Sequence, residues 1–333
     1  MKKFYLLIYL ISLTLYSQEN KDYSKYHEYI NKGEAFFFKE NNIDSCFYYY
    51  DKAFHEFEFV FVKDIINVAQ IAYFSKKEYK KYIIKGFDFG LKLDHFRHIR
   101  LFEPDLKKLL NDKNLIQEYK KRKEKYLEKL DLEYLNTIYD FAFQDQVDKW
   151  SPDSKVYEKK RDKAFEKIEK LIREKGFPGD KLLGIQDSTV FKDSKTNYKD
   201  VYERTKKNNL NYFKSDDKLL SQKMIYLVVI HNFCGYKKMQ DIWLKEIKKG
   251  NIHPRDVALF HDNMYRSYEC SKPKIPFMNN IFAPYTKEQK KMNEKINELR
   301  AKFYITTLEN DALKKEYEEK YGFKLFWGFW NCR

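Results

Sequence analysis

The sequence predicts an all-α protein in which a module of helical hairpins is followed by a second α-helical domain. The chain of 333 residues contains only 10 glycines and 7 prolines, whereas a β-sandwich or barrel needs many tight turns built from such residues. Apolar side chains recur every three or four residues over long stretches, which is the helical period. Hydrophobic residues make up 43% of the chain, including 28 tyrosines and 28 phenylalanines, so we expect a large and aromatic core.

Residues 1–17 are predicted to be a secretory signal peptide. Two lysines precede an apolar run from Phe4 to Tyr16, and the small residue Ser17 follows. This order of basic, apolar and small residues is typical of such peptides. The run is shorter than the roughly 20 residues of a membrane-spanning helix; the alternatives are an uncleaved anchor or a buried N-terminal helix. We therefore expect a periplasmic or extracellular protein whose mature chain has no transmembrane segment.

Composition also bears on partners and cofactors. The formal net charge is +15 at pH 7, and it stays strongly positive without the two signal-peptide lysines. Nucleic acid is nevertheless not expected as a partner, because an exported protein rarely meets it and because lysines alternate with acids along the helices, as on solvated faces. The sequence contains no glycine-rich phosphate loop, Gly-x-Ser-x-Gly turn or cysteine–histidine nucleophile pattern. We predict no cofactor.

The four cysteines are Cys46, Cys234, Cys270 and Cys332. An even number in an exported chain permits disulfides, and three pairings are possible between four residues. Their wide spacing disfavours a structural zinc site. We predict no metal.

Residues 18–95 are predicted to form helical hairpins. The segment Ala35–Glu40 has a counterpart in Ala72–Lys77, and the step of 36 residues from Phe38 to Phe74 is close to the repeat length of about 34 residues in tetratricopeptide proteins. These residues resemble degenerate tetratricopeptide repeats. The resemblance implies a groove that binds a protein or peptide partner. The alternative is a set of amphipathic hairpins that belongs to no repeat family.

Residues 96–130 are predicted to be connecting helices, because they carry a thin apolar stripe at helical spacing. Residues 131–333 are predicted to form the second α-helical domain. Its most apolar segment is Leu219–His231, which we expect to be the central helix. Ser151-Pro152-Asp153 should mark the start of one of the surrounding helices, and Gly176 should end it. The final aromatic segment, Phe323–Trp330, is expected to pack back as a strand or coil.

Four short motifs resemble, in order, those of an uncharacterised bacterial domain family, DUF-6624, over roughly residues 131–310. They are Asp145-Gln146 with Lys149, Gly176-Phe177-Pro178, the end of the apolar helix at His231-Asn232, and His261-Asp262. The family has Trp where Phe177 stands. Because no activity is known for the family, the resemblance implies a fold and little chemistry.

The candidate catalytic residues are His231, Asp262 and Asp145. A buried histidine acts as a general base when a carboxylate fixes its tautomer, so we consider a His231–Asp262 dyad with Asp145 in the same pocket. Gln146 and His261 are the candidate binding residues. The alternatives are that His231 is a core histidine and that Asp262 forms an ordinary surface pair with Arg266.

Two functions follow from these observations. The first is an exported protein- or peptide-binding module that acts through the N-terminal hairpins. The second is a hydrolase-like enzyme whose His/Asp pocket lies in the C-terminal domain. The two differ in whether His231 is open to solvent and in what it contacts.

Overall fold

The computed structural model describes residues 21–185, 188–194, 198–207, 224–232, 234–264 and 287–326. Within these ranges the regular structure is entirely helical, which confirms the predicted all-α class. The first part of the chain forms α1 (Ser24–Phe38), α2 (Ile43–Glu56), α3 (Val62–Phe74), α4 (Lys80–Phe87), two 3-10 helices (Leu93–His98 and Arg100–Asp105), α5 (Leu106–Leu110) and α6 (Lys113–Leu127).

The second part forms α7 (Leu132–Asp148), α8 (Ser154–Lys175), α9 (Asp180–Leu183), α10 (Ser188–Asp193), α11 (Tyr198–Lys207), α12 (Met224–His231), α13 (Gly235–Lys238), α14 (Trp243–Lys248), α15 (Pro254–Met264), α16 (Lys287–Lys302) and α17 (Leu308–Tyr321). In this described portion, no helix is both long and apolar enough to cross a bilayer.

Local sequence explains where several helices begin. A short polar side chain just before the helix accepts a backbone N–H of the first turn, which otherwise has no partner. Asp153 does so for α8 by accepting Lys155 N and Val156 N, as the sequence predicted. The other N-caps of this kind are Asn42, Asp112, Asp131 and Thr307.

The helices enclose two apolar cores. One lies among α7, α8, α12, α14 and α15, and it includes Trp243 and the buried residues of α12. The other lies among α1 to α4 and the 3-10 helices. In the first hairpin, Gly33 allows α1 to approach α2 closely, because a Cβ there would lie 2.8 Å from the ring of Tyr50.

The last described residues of the chain pack into the N-terminal core. Phe323 and Leu325 are buried with α1 to α4, and the ring of Tyr317 on α17 lies 5.1 Å from that of Phe38. The side chain of Gln70 accepts the Lys324 backbone N–H and donates to its carbonyl. The segment Phe323–Phe326 therefore packs back as coil, as expected, but it packs on the hairpin module. Residues 327–330 of the predicted segment lie outside the described residues.

A network of buried charges fixes this arrangement. Arg255 donates through Nη2 to both carboxylate oxygens of Asp311, at 2.5 and 2.7 Å, and Arg300 donates to the same carboxylate. Lys314 on α17 lies 3.0 Å from Glu34 on α1. All five side chains are at most 2% exposed. Because buried charges are tolerated only when paired, these contacts fix the position of α17 between the two cores.

Candidate functional site

The candidate site lies where α12 leaves the C-terminal core. Met224, Ile225, Val228 and Val229 are buried along this helix, whereas the last residue, His231, keeps 21% of its side chain exposed. A histidine in this position is held by the core on one side and reaches solvent on the other. The segment 219–223, which we expected to begin this helix, lies outside the described residues.

Asp145 on α7 is the carboxylate that contacts His231. Its Oδ2 lies 2.5 Å from His231 Nδ1, and the aspartate side chain is only 1% exposed. The same oxygen accepts a hydrogen bond from Gln146 Nε2 at 3.0 Å. The other oxygen, Oδ1, accepts the hydroxyl of Tyr157 on α8 at 3.2 Å. Three donors thus hold the carboxylate of Asp145 in place.

These contacts determine which proton the histidine carries. A carboxylate at Nδ1 favours the tautomer with hydrogen on Nδ1, which leaves the lone pair on Nε2. Nε2 has no hydrogen-bond partner within the described ranges. Burial, and then the charge of Asp145, raise the pKa of Tyr157, so its hydroxyl stays protonated and donates. The arrangement presents an oriented base at the edge of the core.

Two asparagines fix the end of α12. Asn232 Nδ2 donates to Asp162 Oδ1 on α8 at 3.0 Å, and Asn263 Nδ2 on α15 donates to the carbonyl of Ile230 at 2.6 Å. The two positions that these bonds hold, Ile230 and Asn232, are the neighbours of His231 in the chain. The histidine is therefore fixed through its own ring and through the backbone that carries it.

The predicted pairing of His231 with Asp262 is replaced in the structure by pairing with Asp145. Asp262 instead lies beside its sequence neighbour, with Oδ1 at 3.0 Å from His261 Nδ1. The reason is the direction of the side chains. Asp145 lies on the buried face of α7, which packs against α12, whereas Asp262 contacts His261 on its own helix. The alternative partner, Arg266, lies outside the described residues.

The two candidate binding residues have different surroundings. Gln146 belongs to the network around Asp145. His261 is 4% exposed, and its ring meets that of Tyr236 edge-on, with centroids 5.1 Å apart. His261 is thus placed within the core at the C-terminal end of α15, and no described contact joins it to His231.

Sequence reasoning missed Tyr157 as a member of the site. It lies on the face of α8 that carries the apolar residues of that helix. A buried tyrosine hydroxyl usually finds a polar partner, and this rule was the one signal that pointed beyond packing.

The Gly176-Phe177-Pro178 motif forms the turn after α8 and contacts the buried side chain of Glu246. The backbone N–H of Phe177 donates to the buried carboxylate of Glu246 at 2.6 Å, and Asn251 donates to the same oxygen at 2.8 Å. Gly176 has a φ of +95°, a value that glycine adopts readily. The importance of Glu246 was not predicted.

The cysteines differ in state. Cys46 is a free thiol, fully buried in the N-terminal core, and burial raises its pKa above the ordinary value. Cys234 is disulfide-bonded. Cys270 and Cys332 lie outside the described residues. In the part of the chain that the structure describes, no three metal-ligating side chains are grouped in a way that would hold an ion.

One face of the hairpin module packs against the chain's own α17. On α1, Glu34, Phe37 and Phe38 contact α17. On α3, Phe74 packs against Tyr321 with ring centroids 5.0 Å apart. α17 therefore packs against both helices, although Phe74 keeps 36% of its surface exposed.

No protein-family model matches this sequence, and comparison with curated proteins and with solved structures also finds no match. The resemblances to DUF-6624 and to tetratricopeptide repeats therefore stay predictions.

Proposed function

We propose that this protein is an exported, hydrolase-like enzyme in which His231 is the general base. In this mechanism, Nε2 of His231 removes a proton from a water molecule while the water oxygen attacks an acyl or phosphoryl centre. The bond to the leaving group then breaks, and the proton passes from Nε2 to the leaving group. Water is the only co-reactant that this step requires.

One observation carries the proposal: a partly exposed histidine whose Nδ1 lies 2.5 Å from a buried carboxylate. A general base must be oriented and must also reach a substrate. Asp145 supplies the orientation, and the 21% exposure of His231 supplies access. A histidine with a merely structural role would more often be sealed in the core.

The surrounding residues have supporting roles. Asp145 selects the tautomer and stabilises the imidazolium that forms after proton transfer. Tyr157 and Gln146 donate to its two oxygens, which keeps the carboxylate from rotating away. They are positioning residues, because neither is proposed to contact the reacting atoms.

Export is part of the proposal. The basic and apolar order of residues 1–17 supports a cleaved signal peptide. The disulfide at Cys234 also supports an oxidising compartment, since structural disulfides are rare in the cytosol. The mature protein would then work in the periplasm or outside the cell.

The test is a hydrolysis screen of residues 18–333 with chromogenic esters, amides and phosphoesters. His231→Ala should lower kcat by about 100- to 10,000-fold, the usual contribution of a general base, and Asp145→Asn should also lower it strongly. His55→Ala is the matched control, because His55 is exposed on α2, outside the C-terminal core. Circular dichroism checks that each variant folds. Equal activity of the His231 and His55 variants would refute the proposal.

Protein or peptide binding through the hairpins is the weaker candidate. α17 already packs against α1 and against the end of α3. A partner that displaced α17 from α1 would have to separate the buried ion pair of Lys314 and Glu34, which is costly.

A further inference from the structure

Arg161 on α8 is linked to the His231–Asp145 pair through Tyr157 and Asp162. It follows Tyr157 by one turn on α8, so both side chains project from the same face. The Arg161 guanidinium carbon is 5.9 Å from the centroid of the Tyr157 ring, and the hydroxyl of that ring contacts Asp145. The residue after Arg161, Asp162, accepts Asn232, the neighbour of His231. This part of α8 thus contacts Asp145 through Tyr157 and contacts Asn232, the neighbour of His231, through Asp162.

The guanidinium of Arg161 is only partly engaged. Its Nε and Nη2 approach a single oxygen, Asp162 Oδ1, at 3.4 and 3.3 Å. That oxygen also accepts the amide of Asn232. Nη1 makes no hydrogen bond to any described residue. The side chain is 19% exposed, so the fork is held in place but remains open to solvent.

Other arginines of the described chain are better paired. Arg173, on the same helix, binds Glu169 through Nε and Nη2 and both oxygens of Asp241 through Nη1 and Nη2. Arg255 donates to both oxygens of the Asp311 carboxylate. An arginine fork fits two oxygens of a carboxylate or phosphate. Arg161 retains this capacity, whereas Arg173 does not.

We infer that the dyad acts on an anionic substrate and that Arg161 binds the carboxylate or phosphate group of that substrate. The claim that the dyad acts on an anionic substrate rests on the proposed function. The claim that Arg161 binds an anion does not. Arg161 acts in binding and not in proton transfer. Its loss should therefore change KM more than kcat, because a contact that is equally strong in the ground and transition states affects binding alone.

The kinetic test compares two esters with the same chain, 4-nitrophenyl butyrate and mono-4-nitrophenyl succinate, which differ by a terminal methyl or carboxylate. The mature full chain should prefer the succinate ester in kcat/KM. Arg161→Gln should reduce this preference roughly 10- to 100-fold, as expected for a charged hydrogen bond, mainly through KM. The matched control Arg173→Gln, on the same helix, should keep the preference. An unchanged ratio in the Arg161 variant would overturn the inference.

A binding test is independent of turnover. Calorimetry with succinate and with inorganic phosphate should show binding to the wild-type protein and to His231→Ala, and a loss of binding in Arg161→Gln. The tighter of the two probes identifies the anionic group. If no ester is hydrolysed but this binding persists, the proposed hydrolysis fails and the anion site stands. If neither probe binds in an Arg161-dependent manner, the anion site is wrong.

Discussion

Replacing Asp311 by asparagine tests whether the buried charges hold the fold together. Asp311 is fully buried, and its two oxygens accept Arg255 and Arg300. Lys314 lies 3.9 Å from the same carboxylate. An amide of similar shape keeps one acceptor but removes the negative charge, so these cations lose the charge that compensates their burial.

The expected loss is about 3–5 kcal/mol in the free energy of unfolding, the range for removing one partner of a buried ion pair. An exposed pair provides the contrast. Asp241 and Arg173 are 55% and 41% exposed, and breaking such a surface pair costs about 1 kcal/mol at most. Asp241→Asn is therefore the matched control, with the same chemical change in a solvated setting.

Urea unfolding, followed by both circular dichroism and tryptophan fluorescence, measures the two effects. Equal losses in the Asp311 and Asp241 variants would refute the argument that burial makes this network critical. A variant with apolar residues of similar volume at Arg255, Arg300 and Asp311 should recover most of the loss, because the two charges that remain, Lys314 and Glu34, still pair with each other.

The same network predicts how stability depends on pH. Burial would raise the pKa of Asp311, but Arg255, Arg300 and Lys314 outweigh burial and hold the pKa at about 2. The folded pKa is thus below the ordinary value of 3.8, so the unfolded chain binds the proton more tightly. The stabilisation is complete above about pH 4 and is lost as the pH falls towards 2. Asp311→Asn should lack this part of the acid dependence in pH-jump unfolding.

Two further predictions concern the packing of single residues. Gly179→Ala should destabilise the protein by about 1–3 kcal/mol, as for other overpacked sites, because the new Cβ would lie 2.0 Å from the carbonyl oxygen of Asn251; an unchanged melting temperature would contradict this. Cys46 should resist iodoacetamide at pH 8 in the folded protein, since burial raises its pKa, and should react after denaturation. Mass spectrometry measures the alkylation, and an alkylated Cys46 in the folded protein would contradict this prediction.

The sequence predicted properties that depend on local patterns. The helical class follows from periodicity, and the start of α8 follows from Asp153. The end of the apolar helix at His231 was also found this way. In each case the determining residues lie within a few positions of one another.

Pairings between distant segments were not accessible in the same way. His231 and Asp145 are 86 residues apart, and periodicity shows which face is buried but not which helices meet. Asp262 was therefore as plausible a partner as Asp145. Lys314 is 280 residues from Glu34 and lies in a highly charged helix, where it resembles a solvated lysine.

The contact between α17 and the first hairpin has a consequence for biosynthesis. Glu34 is made 280 residues before its partner Lys314, and Phe38 is likewise made long before its partner Tyr317. The hairpin module therefore cannot complete its core until α17 has been made. A fragment that stops before Leu308 would expose aromatic side chains of the hairpin module and would lack the lysine that pairs with Glu34.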